Sequence, residues 1–563
     1  MEGGGRLSGG RLGGGRLGGG RLRAVGGGLL GALLAAHVAI QVHAQAAPSP
    51  RGESIYRRGI LPSGRPLTGL REPDLKIAGS DAACINCHRR SGLGEVEGRY
   101  SIPPISGIYL FHPKAKDGDN YDLPYVDTMR ADRDPYTDVT LARAIREGIG
   151  ADGRPLNYLM PHYTIDDADL AALTEYLKGM TPSKVPGVTK SVLHFATIIT
   201  PDADPTKRAG MLDVLQHFFD DKNAFARAES PRLNSSHRMM FKANRRWALH
   251  VWELSGPPQT WEEQLRRHLA KEPVFLAISG LGGKNWAPVH HFCEWAALPC
   301  LFPNVEVPVV AEQDFYTLYF SKGVLLEGDL MSRWLTDDNH AAVGGRVVQI
   351  YRTDGVGEVA AHALKSKMAA AGVALVDRPI GAGAAGQTLL AALRDLGLHD
   401  RLVLWLRSKD IAALAGAPVV PSTVLMSGLM GGLGDAPVPA AWRSVTRMTY
   451  PFDTPDQRRI RMNYPLGWFR IRQIRVVDEQ VQTDTFLACS LVAETVNHMA
   501  DSFIRDFLIE RVEGMLEHRI ITGYYPRLAL APNQRFASKG GYLVHFADPA
   551  GPHIETDGDW LVP

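Results

Sequence analysis

Six residues constrain this chain more than any others: Ala83-Cys84-Ile85-Asn86-Cys87-His88. The two thiols stand three positions apart, so one helical turn presents both on the same side. That spacing lets them add to the two vinyl groups of a haem, and the adjacent histidine is then held beneath the iron. In a chain with five cysteines the full pattern is a specific signal. A thioredoxin-like redox pair would want a βαβ context, and a zinc site would want a second pair of ligands nearby. The sequence around residue 84 offers neither. Cys84 and Cys87 are therefore read as the covalent attachment of one haem c, with His88 as the proximal iron ligand.

Further residues agree. Pro103-Pro104-Ile105 forms a rigid loop whose backbone carbonyl can accept the other N–H of the histidine. Residues 138–149 have helical periodicity through Val139, Leu141, Ala142, Ile145 and Ile149, with Asp138 as the expected cap. A Gly- and Pro-containing loop ends in Leu159-Met160-Pro161-His162-Tyr163, and a second helix is expected at 166–178. This segment resembles the class I cytochrome c family, whose distal methionine sits in a loop before the last helix and is often followed by proline. The resemblance covers about residues 78–180 and implies a small all-α domain with Met160 as the sixth iron ligand. His162, His112 and Met129 are its rivals. A thioether ligand stabilises the reduced iron and raises its potential, as an electron carrier requires. There is no second Cys-x-x-Cys-His for a dihaem peroxidase. An iron with both axial positions filled favours electron transfer over catalysis.

The N-terminus addresses the chain for export. Residues 1–23 carry five arginines and one glutamate, residues 29–40 are mostly apolar, and Val42-His43-Ala44 supplies small residues for a signal peptidase. Basic, apolar, small is the order of a secretory signal, and the apolar run is short for a membrane span. Residues 1–44, with their Gly/Arg/Leu repeat, are set apart from the fold, and 45–77 is an N-terminal extension. The whole chain has 62 basic and 60 acidic residues; without 1–44 the balance turns slightly acidic, which argues against a nucleic-acid partner. The expected location is the periplasm.

Residues 181–190 carry two prolines and a glycine and read as a linker. Beyond it, strands expected at 192–199, 247–254, 273–279, 299–302, 346–351 and 401–406 alternate with amphipathic helices, the pattern of parallel sheets covered on both faces. The run FLAISGLGGKNWAPVHHFCEWAALPCLFPNVEVP (275–308), followed by Phe315 to Gly323, resembles the type I periplasmic binding proteins of the leucine/isoleucine/valine group. That resemblance implies a two-lobed α/β domain over 191–563, with lobe crossovers near 310 and 445 and one long helix at 485–517. It implies a small organic ligand between the lobes at strand C-termini, touched by Ser279, Gly280, Asn304 and Tyr316 or Tyr319. Gly282-Gly283-Lys284-Asn285-Trp286 is bulkier and more basic than the family's serine-rich loop, which argues against an amino-acid ligand. Cys293 and Cys300 are either a disulfide or two buried thiols, and Cys489 is a core thiol. Residues 426–434 lack a P-loop lysine and read as a loop.

The expectation is thus a multidomain chain, a cytochrome c domain followed by a periplasmic-binding-protein-like domain. It would act without being an enzyme, carrying electrons to or from a periplasmic dehydrogenase or membrane cytochrome. The alternative is a ligand-binding or sensory protein whose haem reports redox state.

Overall fold

The computed structural model describes residues 50–71, 74–97, 100–111, 134–180, 185–229, 245–311, 313–337, 345–417, 419–499, 502–516, 523–531 and 533–563. The export segment, His112, Met129 and most of the acidic loop before residue 134 lie outside them. The described residues belong to one compact unit, and none of their helices is long and apolar enough to cross a membrane.

The first part contains α1 (Pro50–Arg58), β1 (Thr68–Arg71), β2 (Leu75–Ala78), α2 (Ile85–His88), β3 (Val96–Glu97), β4 (Tyr100–Ser101), α3 (Gly107–Phe111), α4 (Asp138–Glu147), β5 (His162–Thr164) and α5 (Asp167–Gly179). It has its own apolar cluster, in which Ile55, Tyr56, Leu61 and Leu67 meet Leu141, Ile145, Leu173 and Leu177. Residues assigned to an N-terminal extension therefore share this core. The all-α expectation is corrected: β1 pairs antiparallel with both β2 and β5, and β3 with β4. The strands are only two to four residues long, too short for alternation to reveal them. The helices follow the sequence closely, but Thr137, one residue before the expected Asp138, caps α4 by accepting from the Thr140 N–H.

The rest is two sheets, the first parallel and the second parallel up to two antiparallel strands at one edge. The first lobe contains β6 (Val192–Ile199), α6 (Pro205–Glu229), β7 (Arg246–Glu253), α7 (Trp261–Lys271), β8 (Leu276–Ile278), β9 (Leu281–Gly282), α8 (Ala287–Trp295), β10 (Cys300–Leu301), β11 (Asn304–Val305) and β12 (Thr317–Leu318). The second begins with α9 (Val324–Thr336), β13 (Val347–Arg352), α10 (Val356–Ala370), β14 (Leu375–Ile380), α11 (Gly386–Ala391), β15 (Arg401–Trp405), α12 (Ser408–Ala412), β16 (Thr423–Ser427), α13 (Gly428–Gly431) and β17 (Thr446–Tyr450). Then α14 (Pro455–Arg472), α15 (Glu479–Met499) and α16 (Arg505–Leu516) return to the first lobe, and β18 (Tyr542–Phe546) and β19 (Ile554–Thr556) finish the second sheet.

In chain order within each lobe, the five main strands stand 2-1-3-4-5: β7-β6-β8-β10-β12 and β14-β13-β15-β16-β17. This is a doubly wound order, with the switch point between the first and third strands. The two-lobed α/β architecture read from the sequence is thus present. The single helix expected at 485–517 is two helices, α15 and α16, broken around 502–504, where Ser502 and Ile504 make turn hydrogen bonds. Residues 426–434, read as a loop, hold the end of β16 and the short α13, capped by the Ser427 hydroxyl.

Gly52 sets the approach of α1 to α5. A Cβ there would stand 2.2 Å from the Ala172 carbonyl oxygen and 2.6 Å from the Tyr176 Cβ. Gly52→Ala should therefore cost about 1–3 kcal/mol by overpacking, measured as a lower denaturant midpoint for the tertiary signal of residues 50–180.

Candidate functional site

Cys84 is the N-cap of α2 and already has helical φ and ψ, so Cys84, Cys87 and His88 lie on one turn. The turn is stopped by Arg89 at φ +63°. Both thiols are unbridged and half-buried, and burial pushes the Cys84 thiol up to about 12. Tyr163, from β5, lies near both: burial raises its phenol, and Cys84 and Cys87 add to the effect. The His88 ring is buried, with Nδ1 3.0 Å from the Pro103 carbonyl oxygen. Burial holds its pKa down at about 4 against that hydrogen bond. The imidazole is therefore neutral at pH 7, and in the tautomer this contact selects, Nδ1–H donates while Nε2 carries a lone pair. The bond to Pro103 also fixes the ring's orientation, the device by which metal-ligating histidines are held.

Met160 is half-buried against the same apolar cluster that Cys84 and Ile85 touch. His162 is turned elsewhere, its ring lying over the end of α4, where a Cβ on Gly148 would stand 2.3 Å from Nε2. Two thiols on one turn, an oriented neutral imidazole and a thioether on one apolar cluster are the donor set a covalently held haem would use.

The residues that follow His88 run straight into the first lobe. The Ser91 N–H and hydroxyl donate to the two oxygens of Glu510, at 2.8 and 2.5 Å. Arg89 donates to Glu513 at 3.0 Å, and Glu513 also accepts from Arg535. Arg90 lies over the Phe315 ring and reaches Asp506. Asp506, Glu510 and Glu513 recur at i, i+4 and i+7 on α16, one face of the helix.

Burial holds the Glu510 carboxyl up at about 8, with the neighbouring Asp506 charge adding while Ser91 and Arg89 oppose. A carboxyl raised in the folded state contributes stability that is full below its unfolded pKa and is lost as pH rises through the folded value. The wild type should thus lose stability relative to Glu510→Gln between pH 5 and 9, by on the order of a few kcal/mol. Denaturant midpoints of both proteins across that range measure it.

At the strand ends of the first lobe, Ser279 is fully buried at φ +47°. Its hydroxyl meets Thr485 of α15 at 2.8 Å and accepts from the Asn304 amide at 2.9 Å. The Trp286 ring lies over Gly280 and Gly282, where a Cβ would stand 2.7 and 2.8 Å from ring carbons. Ser279 and Asn304 are thus brought together, but by each other and Thr485. Tyr316 faces Arg90 and α16 instead, its hydroxyl donating to Asp506 at 2.6 Å. Tyr319 is buried, hydrogen-bonded to His290 and stacked on Phe536.

A cleft of about 420 Å³ lies one step outward, at the C-terminal ends of strands from both lobes. Asp202 and Lys284 line it from the first lobe, and Trp405, Arg352 and Met430 from the second. Its cations are engaged by protein: Arg352 makes a two-point contact with Asp410, at 2.9 and 2.7 Å. Lys284 donates to the Asp354 carbonyl oxygen at 2.6 Å, bridging the lobes. Cys293 and Cys300 are both buried and in hydrogen-bonding contact as thiols.

Sequence reasoning missed the α16 carboxylates and the cleft-lining residues of the second lobe. The spacing Asp506, Glu510, Glu513 opposite Arg89-Arg90 was the available signal for the former.

No protein-family model matches the chain, and no curated protein does. Solved structures to which it is similar include a possible leucine/isoleucine/valine-binding protein from Rhodopirellula baltica, at 14% identity and TM-score 0.45, covering 66% of this chain and 97% of that one. A fatty acid ABC transporter substrate-binding protein from Thermomonospora curvata matches at 14% identity and TM-score 0.46, covering 68% and 95%. A branched-chain amino acid transporter substrate-binding protein from Streptococcus pneumoniae, in complex with isoleucine, matches at 10% and 0.45, covering 65% and 99%.

Proposed function

We propose that the protein is an exported monohaem c-type cytochrome that carries electrons, built onto a two-lobed solute-binding-like body. The contact from His88 Nδ1 to the Pro103 carbonyl oxygen, beside the Cys84 and Cys87 thiols on one turn, is the observation that carries this reading. Cys84 and Cys87 would hold the haem as thioethers, with His88 Nε2 and the Met160 sulfur as axial ligands. Bound there, the haem supplies one-electron exchange with a periplasmic dehydrogenase or membrane cytochrome. The chain's own part is to orient and shield. Pro103 fixes the imidazole plane, the apolar cluster around Ile55 and Leu141 excludes water, and Met160 favours the reduced state.

Protein matured in an export-competent host should show a covalent c-type absorption spectrum with the weak red band of methionine–iron ligation. Met160→Ala should lose that band and lower the potential while keeping the haem. A properly matured protein without covalent haem overturns the reading.

A second reading is favoured by the cleft at the strand ends: a ligand-binding or sensory protein whose haem reports redox state. A small organic molecule that binds the haem-loaded chain, and whose affinity changes on haem reduction, would select this reading.

Export would also oxidise the Cys293–Cys300 contact to a disulfide, the two thiols passing two electrons and two protons to a disulfide-bearing periplasmic oxidant. Thiol counting on the unfolded mature protein should then find one reactive cysteine, Cys489; three would mean that Cys293 and Cys300 stay reduced.

A further inference from the structure

The surface helix α14 repeats itself: Arg459-Ile460-Arg461 returns as Arg470-Ile471-Arg472. Eleven residues are very nearly three helical turns, so the two Arg-Ile steps stand one above the other on the same face. The inner side of the helix is accounted for. Phe469 packs with Val214 and Phe486, Trp468 and Arg472 donate to Asp221, and Arg461 pairs with Asp453. The outer side has no such explanation. Ile460 and Ile471 are 77% and 74% exposed, and Tyr464, one turn beyond Ile460, is 66% exposed although one edge of its ring meets Phe486. Surface isoleucines this bare, in register with each other, form an apolar strip rather than scattered residues.

The strip is basic as well. Arg459 and Arg470 flank the isoleucines, both exposed, and neither forms an ion pair among the described residues. Arg475, just past the helix, adds a third exposed cation beside Val476 and Val477, which are 43% and 37% exposed. The one carboxylate of the helix, Asp456, is confined to its first turn. Isoleucine and tyrosine along a line, with arginines at its border and no acid between them, is the arrangement that rests in the headgroup layer of a membrane. The aliphatic groups enter the acyl boundary, and the guanidinium groups hold phosphates.

We infer that the outer face of α14, centred on Ile460, Tyr464 and Ile471 with Arg459 and Arg470, is a docking surface for an anionic phospholipid bilayer. The contact is peripheral: three apolar side chains and three cations give reversible binding that weakens with salt. An electron carrier held at a membrane in this way would meet membrane-bound redox partners by diffusion in two dimensions.

The test uses the haem-loaded full chain as recovered after export, with vesicles of phosphatidylcholine alone or mixed with phosphatidylglycerol in roughly three parts to one. Co-sedimentation reads binding, and hydrogen exchange reads where it occurs, since contacts made by residues outside α14 leave its amides unchanged. The mixed vesicles should bind the protein and protect amides in 455–477, and phosphatidylcholine alone should not. Arg459→Gln/Arg470→Gln should weaken binding by about 30-fold, and Ile460→Ser/Ile471→Ser by at least about ten-fold, with the haem spectrum unchanged in both. Binding undiminished in both variants, or no protection of 455–477 on anionic vesicles, overturns the inference; the second result leaves an acidic protein as the occupant of this face.

Discussion

The structure turns on a buried polar join. Glu510 takes both donors of Ser91, and Glu513 is shared between Arg89 and Arg535, with the Arg535 and Glu513 side chains only 3% and 4% exposed. Burying such ions costs several kcal/mol each before their attraction is counted, so a pair of this kind is weak evidence for stability. Breaking it is another matter, because one unpaired buried charge costs about 3–5 kcal/mol. The join therefore selects one relative placement of the Cys84–His88 turn and the first lobe and makes neighbouring placements expensive. Leu93, only two residues past Ser91, completes it by entering the main apolar cluster of the first lobe.

Everything that makes His88 a candidate ligand depends on that placement. The chain from Arg89 to Leu93 is committed to α16, and the return through Pro103 brings back the carbonyl that orients the imidazole. The same helix pair anchors the first lobe. Arg505, at the start of α16, donates to the carbonyls of Val274, Phe275, Ala296 and Ala297, so it fastens the strand leading into β8 and the C-terminal end of α8 together. On α15, Thr485 meets the Ser279 hydroxyl. The Cys84–His88 turn, the sheet and the strand-end loop thus share one scaffold of two helices.

How much of this was legible depends on the range of each signal. The Cys84–His88 turn lies in a six-residue pattern whose helical form was readable from the spacing, as was the carbonyl that the Pro103 loop supplies to His88. Longer strands such as β6 and β13 fall within a residue or two of expectation because they are buried along most of their length. The β1–β2–β5 sheet was not legible: its strands are too short to show a period, and β5 pairs across ninety residues of chain. The break between α15 and α16 was hidden because apolar residues continue through it at Phe503 and Ile504. The α16 join was legible only as two halves, a row of acids and a pair of arginines, more than four hundred residues apart.

The loop after β8 shows how a doubly wound strand order can leave the strand ends closed. Ser279 and Asn304 stand at strand ends, as the resemblance implied, yet their polar atoms are spent on each other and on Thr485. The cause is local: Trp286 needs somewhere to lie, and it lies on Gly280 and Gly282, where any side chain would collide with its ring. The open space consequently begins further out, between Asp202 and Lys284 on one side and Trp405 and Met430 on the other. A molecule entering it would meet an aromatic and a thioether first, and cations already held by Asp410 and by the Asp354 carbonyl. The two cations differ in what they have left: Arg352 is charge-matched by Asp410, whereas Lys284 spends one of its three N–H donors on a carbonyl and keeps its charge.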